Sequence, residues 1–287
     1  MQISSPIIKD NIQKPLITLT TDLGFGEEVA MMKSVILKIN ENALILDIRH
    51  DIPPFNLVEA AFTMESVCFL QKGFHVCVVD PGVGTSRKAV VIKTKRGDYL
   101  IGPDNGVLMP AIKRLGGVEK VIEINNEKYM NTPVSPVFHG RDIFAPVAAW
   151  LSKGVAMEEL GKELPKTCLS PSPYEEAKVE KGRIKARIIH INRFGNVCIN
   201  VLQEAFEKSE ISFGDDLTLA LRNKKIKAKF VRTFGDVKKG EVLVFKDDYG
   251  RIEIAINQGN FCRKYGAKLM DRVEIEKTIG KIGVKRK

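Results

Sequence analysis

A chain of 287 residues, 44% hydrophobic and 28% charged, carries enough apolar surface for two globular domains with their own cores and is neither disordered nor fibrous. Its longest apolar stretches, Ala43 to Leu46 and Val76 to Val79, fall far short of the roughly 18 to 20 residues needed to cross a bilayer. The net charge of +10 suits an anionic partner, yet the basic residues are spread along the chain and their densest cluster, Lys281 to Lys287, reads as a solvated tail.

In chain order, Met1 to Pro15 is a short polar leader without the apolar block and cleavage site of a signal peptide, so a cytoplasmic protein is expected. From Leu16 the pattern is strand (Leu16 to Leu19), Gly-containing loop (Asp22 to Gly26), then a helix carrying Val29, Met32, Val35, Ile36 and Ile39. Ala43 to Ile48 reads as a covered strand, Leu57 to Leu70 as a helix and Gly73 to Val79 as a strand. Ala89 to Thr94 with Tyr99 to Ile101 predict a hairpin, and Gly106 to Leu115 a helix. Alternating strands and helices predict an α/β domain over 16–161 with a mainly parallel sheet flanked by helices, and ligands bind such sheets at the carboxyl ends of their strands.

Residues 162–181, with Pro165, Pro171, Pro173 and no apolar period, read as a linker. Beyond it, Gly182 to Ile199, Leu217 to Leu221, Ile226 to Phe230, Glu241 to Phe245 and Arg251 to Ile256 are short strand-like runs between Gly, Asp and Asn turns. They predict a smaller antiparallel barrel or sandwich over 182–279, followed by the basic tail 280–287. The five cysteines (68, 77, 168, 198 and 262) are odd in number and contain no CxxC pair, which indicates free thiols and neither a disulfide framework nor a zinc site.

Four segments carry residues suited to chemistry. Asp22, directly after the first strand, is placed either to accept hydrogen bonds from a vicinal diol such as a ribose or to cap a turn. Asp80 follows the strand ending at Val79 and opens Asp-Pro-Gly-Val-Gly-Thr-Ser-Arg, a turn that returns Arg87 toward the same sheet end, as a site pair or as a loop-fixing ion pair. Phe-His-Gly-Arg-Asp (138–142) sets His139 and Arg141 before a helix beginning near Asp142. Gly-Pro-Asp-Asn-Gly (102–106) is a turn in which Asp104 is suited to cap the following helix. Gly24 and Gly26 make neither a dinucleotide fingerprint nor a phosphate-binding loop.

Thr-Asp-Leu-Gly (21–24), Asp-Pro-Gly-Val-Gly with Arg87, Gly-Pro-Asp-Asn-Gly, Phe-His-Gly-Arg-Asp and Arg-Phe-Gly-Asn (193–196), in that order, resemble the S-adenosylmethionine hydroxide adenosyltransferase family, relatives of enzymes that make halogenated nucleosides. The likeness runs from about Ile17 to Met270. It implies an α/β domain followed by a β-barrel, a homotrimer with sites between subunits, and hydrolysis of S-adenosylmethionine to adenosine and methionine without metal or organic cofactor. By the same resemblance Asp80, Arg87 and His139 match the water-activating Asp, Arg and His. Asp22 matches the carboxylate that holds the ribose hydroxyls, and Asn196 an adenine- or ribose-contacting asparagine. The halogenating branch carries an aromatic in place of Asp80 and a serine in place of Gly140. Asn192 and Cys198 depart from relatives that have Asp and Trp.

Two other classes are weighed against this. A metal-dependent hydrolase would use Asp22, Asp80, His139 and Asp142, but no closely spaced ligand motif is present and Arg87 opposes a cation. A nucleic-acid-binding module would explain the charge, but no basic strand rich in aromatics is present. Neither a metal, a nucleic acid nor a membrane is therefore an expected partner.

Overall fold

The computed structural model describes residues 14–278; the leader before Lys14 and the basic tail lie outside the described residues. The chain divides into two compact units, one ending at Pro173 and the other beginning at Tyr174.

The first unit is built from β1 (Leu16–Thr21), α1 (Glu27–Ile39), β2 (Leu44–Arg49), α2 (Leu57–Glu65), β3 (Phe74–Val78), β4 (Ala89–Thr94), β5 (Tyr99–Pro103), α3 (Met109–Arg114), β6 (Val118–Ile124), α4 (Ala145–Ser152) and β7 (Gly161–Glu163). They form one seven-stranded sheet in the order β2-β1-β3-β5-β4-β6-β7. The four strands β2, β1, β3 and β5 run parallel, and β4, β6 and β7 continue antiparallel. The expected hairpin of β4 and β5 is present, but its second strand, β5, lies inside next to β3.

All six residues of β1 are buried, which is why its sequence does not alternate. Two of its three threonines are satisfied internally: Thr18 bonds His75 at 3.0 Å and Thr21 bonds His50 at 2.9 Å, while the buried Thr20 hydroxyl has no hydrogen-bond partner among the described residues. Helix α1 turns Val29, Met32 and Ile36 onto the sheet, with Glu27 and Glu28 in its first turn and Lys38 in its last, as the helix dipole favours. Asn56 caps α2 by accepting from Glu59 N at 3.1 Å. Because β1 and β3 pair in parallel with Thr21 opposite Val78, the residues just beyond them, Asp22 and Asp80, emerge at one sheet edge.

The second unit comprises β8 (Lys178–Glu180), β9 (Arg183–Ile191), β10 (Val197–Leu202), α5 (Gln203–Phe206), β11 (Asp216–Leu221), β12 (Lys224–Phe230), β13 (Val242–Lys246), β14 (Arg251–Ile256), α6 (Phe261–Tyr265) and β15 (Arg272–Lys277). Seven strands close on themselves in the order β10-β14-β13-β12-β11-β15-β9, the last pairing back to β10, and β8 adds to the outside of β9. The barrel is mixed: β12 and β13 pair in parallel, all other neighbours antiparallel. Closure leaves few strand edges open, and alternate residues such as Ile226, Ala228 and Phe230 of β12 fill the interior. The stretch read as a linker contributes β7 at its start and β8 near its end.

Among the described residues, no helix is long and apolar enough to cross a membrane. The cysteines are unpaired.

Candidate active site

The loop after β3 folds back so that Arg87 chelates Asp80. Nε donates to Oδ1 at 3.2 Å, Nη2 donates to Oδ2, and both side chains are nearly buried, 8% and 4% exposed. Gly82 N adds a third donor to Oδ1 at 3.2 Å. Nη2 of Arg87 also reaches Nδ1 of His139 at 2.9 Å, and the guanidinium lies 5.5 Å from the centre of the Phe144 ring. Arginine has no acceptor, so Nδ1 of His139 must offer its lone pair and the ring proton resides on Nε2. Burial, then the charge of Arg87, lowers the His139 pKa from its ordinary value, which favours this neutral form.

Two glycines make the approach possible. Gly84 has φ +75°, and a Cβ there would stand 2.6 Å from the carbonyl oxygen of Pro136, so the Asp80 loop and the loop before His139 press together at this point. Gly140 packs on β3: a Cβ there would meet Val78 at 3.1 Å and Met32 at 3.3 Å. Asp142 is fully buried and holds the second loop from within, accepting from Asn131 Nδ2 at 2.7 Å, Ser135 N at 2.9 Å and Arg141 Nε at 2.7 Å. Burial raises its pKa, but these donors together outweigh burial and the net shift is downward.

Asp22, Asp80 and His139 line one cavity of about 190 Å³ together with Phe55, Val78, Val83, Phe138 and Gly140. Asp22 Oδ2 accepts from the backbone N–H of Phe55 at 2.8 Å, an interaction that orients the carboxylate and leaves Oδ1 for other donors. A space of this size is below the roughly 300–1,000 Å³ typical of small-molecule pockets.

Asn196 belongs to the second unit, in the turn between β9 and β10, and lines a cavity of about 650 Å³ with Asn192, Phe194, Phe234, Tyr249 and Glu253. Its Nδ2 donates to Glu253 Oε1 at 2.8 Å.

Of the five residues assigned a role by the family resemblance, Asp22, Asp80, Arg87 and His139 thus gather at the carboxyl ends of β1 and β3, and Asn196 lines a separate cavity. Asp142 is spent on its own loop and Arg141 on Asp142 and the Phe138 ring, so neither is a free metal ligand or site charge. Among the described residues no group of three or more His, Cys, Asp or Glu is arranged to hold a metal ion. Asp104 does not cap α3; it accepts from Ser170 N at 2.8 Å, while Asn105 donates to Val79 O at 2.9 Å and so braces the strand end before Asp80. Glu253 was not singled out by sequence reasoning, since a glutamate on a strand carries no motif.

An α/β unit with paired carboxylates at its strand ends, followed by a closed barrel, defines the class, and comparison with known proteins agrees with it. Residues 17–161 match the SAM hydroxide adenosyltransferase N-terminal domain and residues 186–274 its C-terminal domain. The chain belongs to the SAM hydroxide adenosyltransferase family. It is 35% identical to the (R)-S-adenosyl-L-methionine hydrolase of Salinispora tropica, over 91% of this chain and 97% of that one. It is also 35% identical to the protein of the same name from Methanocaldococcus jannaschii, over 91% and 95%. A fluorinase from Actinopolyspora mzabensis is more distant, at 22% over 91% and 97%. Among solved structures, an uncharacterized conserved protein from Thermotoga maritima superposes with a TM-score of 0.86 at 37% identity, covering 91% of this chain and all of that one.

Proposed function

We propose that this protein hydrolyses S-adenosyl-L-methionine to adenosine and L-methionine by in-line attack of water at the ribose C5′. The observation that carries the reading is the Asp80–Arg87–His139 contact set, with Asp22 on the same cavity wall. Relatives named as S-adenosylmethionine hydrolases share 30–35% identity over most of the chain.

The bond changes are simple. A water oxygen forms the O–C5′ bond, the C5′–S bond breaks with its electron pair going to sulfur, and the water loses a proton. The departing thioether is neutral, so neither a general acid nor a Lewis acid is needed for departure, and we assign no metal or organic cofactor to the reaction. The demand falls on the nucleophile. Arg87 favours hydroxide character in a water beside it, while Asp80 is the remaining proton acceptor. His139 has Nδ1 occupied by Arg87, so its role is to donate from Nε2 and orient the water. Asp22 supplies a carboxylate oxygen for the ribose diol, which fixes the attack geometry. Asn196 contributes a contact to the nucleoside from the barrel.

We further propose that the chain acts as a homotrimer in which the α/β unit of one copy and the barrel of a neighbour serve one substrate. Exposed apolar side chains on the edge strand β2, Leu44 at 49% and Leu46 at 41%, support an assembly. Chromatography of the protein incubated with S-adenosylmethionine, with and without excess chloride and with EDTA, tests the reading. Adenosine and methionine in equal amounts, unchanged by either addition, are expected; a chlorinated nucleoside would move the protein to the halogenating branch.

A further inference from the structure

Two amides converge on one carboxylate oxygen in the barrel. Glu253, on β14 opposite Cys198 of β10, accepts through Oε1 from Asn196 Nδ2 at 2.8 Å and from Asn192 Nδ2 at 3.3 Å. Asn192 has no acceptor left for a ligand: its Oδ1 accepts the backbone N–H groups of Phe194 at 3.0 Å and Asn196 at 3.1 Å, which builds the turn. Asn196 is different. Only 5% of it is exposed, its nitrogen is held by Glu253, and its carbonyl oxygen has no hydrogen-bond partner among the described residues while the side chain lines the 650 Å³ cavity.

A side-chain amide offers either a donor or an acceptor, depending on which way it is turned. An ionised carboxylate removes that choice, because a flipped Asn196 would set two acceptors face to face. Burial pushes the Glu253 carboxyl up from its ordinary value, and the Asn196 amide is the first of the contacts that oppose the shift, as a donor to the ionised form must. We propose that Glu253 is a positioning residue for the reaction: it holds Nδ2 of Asn196 and thereby presents Oδ1 as a fixed acceptor to the substrate. Resting on the hydrolase reading, this makes Glu253 a determinant of base choice. A fixed acceptor pairs with the exocyclic amine of adenine and opposes the keto oxygen of hypoxanthine, and a site that leaves a buried acceptor facing another acceptor discriminates strongly.

The test compares S-adenosyl-L-methionine with its deaminated analogue, S-inosyl-L-methionine, in the full-length protein, with KM and kcat separated. Wild type should favour the adenine substrate by at least about tenfold in kcat/KM. Glu253→Ala should raise KM for the adenine substrate about tenfold with kcat within about threefold, and should lose most of the base preference. Glu253→Gln keeps an acceptor oxygen in reach of both amides and should restore KM to within about threefold together with the preference. Asn196→Ala should add little in the Glu253→Ala background, since the two act as one unit. If Glu253→Ala does not fold, Glu253→Asp carries the same expectation, because losing one methylene withdraws the acceptor from both amides.

An active wild type whose Glu253→Ala or Glu253→Asp variant keeps KM and base preference, or loses kcat alone, overturns the role of Glu253. A wild type that releases no adenosine overturns the hydrolase reading itself, and the role of Glu253 falls with it.

Discussion

Nη2 of Arg87 is shared between the Asp80 carboxylate and Nδ1 of His139, 2.9 Å away, so a single guanidinium holds one group in place and fixes the tautomer of the other. A protonated His139 would carry an N–H at Nδ1 pointing at a cation, and the contact would break.

The first prediction concerns pH. Burial and the Arg87 charge hold the His139 pKa below its ordinary value of 6.5. The neutral ring is the active form, so activity is present above the lowered pKa and is lost as pH falls through it. The acid limb of kcat should therefore lie below pH 6.5. Arg87→Ala removes one of the two lowering causes, and the His139 proton resonances should then titrate at higher pH than in wild type. An unshifted His139 in that variant would show that Arg87 does not control it.

The second prediction separates water activation from substrate holding. Asp80→Ala, Arg87→Ala and His139→Ala should each lower turnover by roughly 10²- to 10⁴-fold with little change in affinity for a non-reactive substrate analogue. Double variants should cost no more than the worse single one, because all three serve one water. Single-turnover rates with calorimetric binding of the analogue check both statements.

Asp22→Ala should behave differently. Loss of charged hydrogen bonds to the diol weakens analogue binding by about 1.5 to 3 kcal/mol, and turnover falls as well because the diol is held throughout. Unchanged affinity in titration would remove Asp22 from the ribose.

The contact also depends on backbone alone. Gly84→Ala places a methyl 2.6 Å from Pro136 O at a φ of +75°, at a cost of about 1–2 kcal/mol for the backbone conformation before the overlap is counted. The two loops must part there, so turnover should fall at least about tenfold while the melting temperature drops by only a few degrees. Wild-type turnover in this variant would show that the Arg87–His139 distance does not matter.

Much of this arrangement could be read from the chain, for identifiable reasons. Strands such as β1 and β3 are continuous apolar or Thr-rich runs ending in an aspartate, so their ends, and hence Asp22 and Asp80, are marked. What could not be read was pairing. β6 (Val118–Ile124) and β15 (Arg272–Lys277) are interrupted by charges at half-buried or exposed positions, and only tertiary pairing makes them strands. The helix expected near Asp142 begins as a π-helical turn, Gly140–Phe144, before α4. Contacts between distant segments were equally hidden: Glu253 meets Asn196 57 positions away, and Gly84 meets Pro136 only because two loops cross the same sheet edge.

The central claim is that water attacks C5′ of S-adenosylmethionine, and isotope tracing tests it most directly. With S-adenosylmethionine in ¹⁸O-labelled water, mass spectrometry of the products should find the label in the 5′-hydroxyl of adenosine and unlabelled methionine. Unlabelled adenosine, or 5′-methylthioadenosine in its place, would contradict the account, since either would mean that oxygen from water never bonded to C5′.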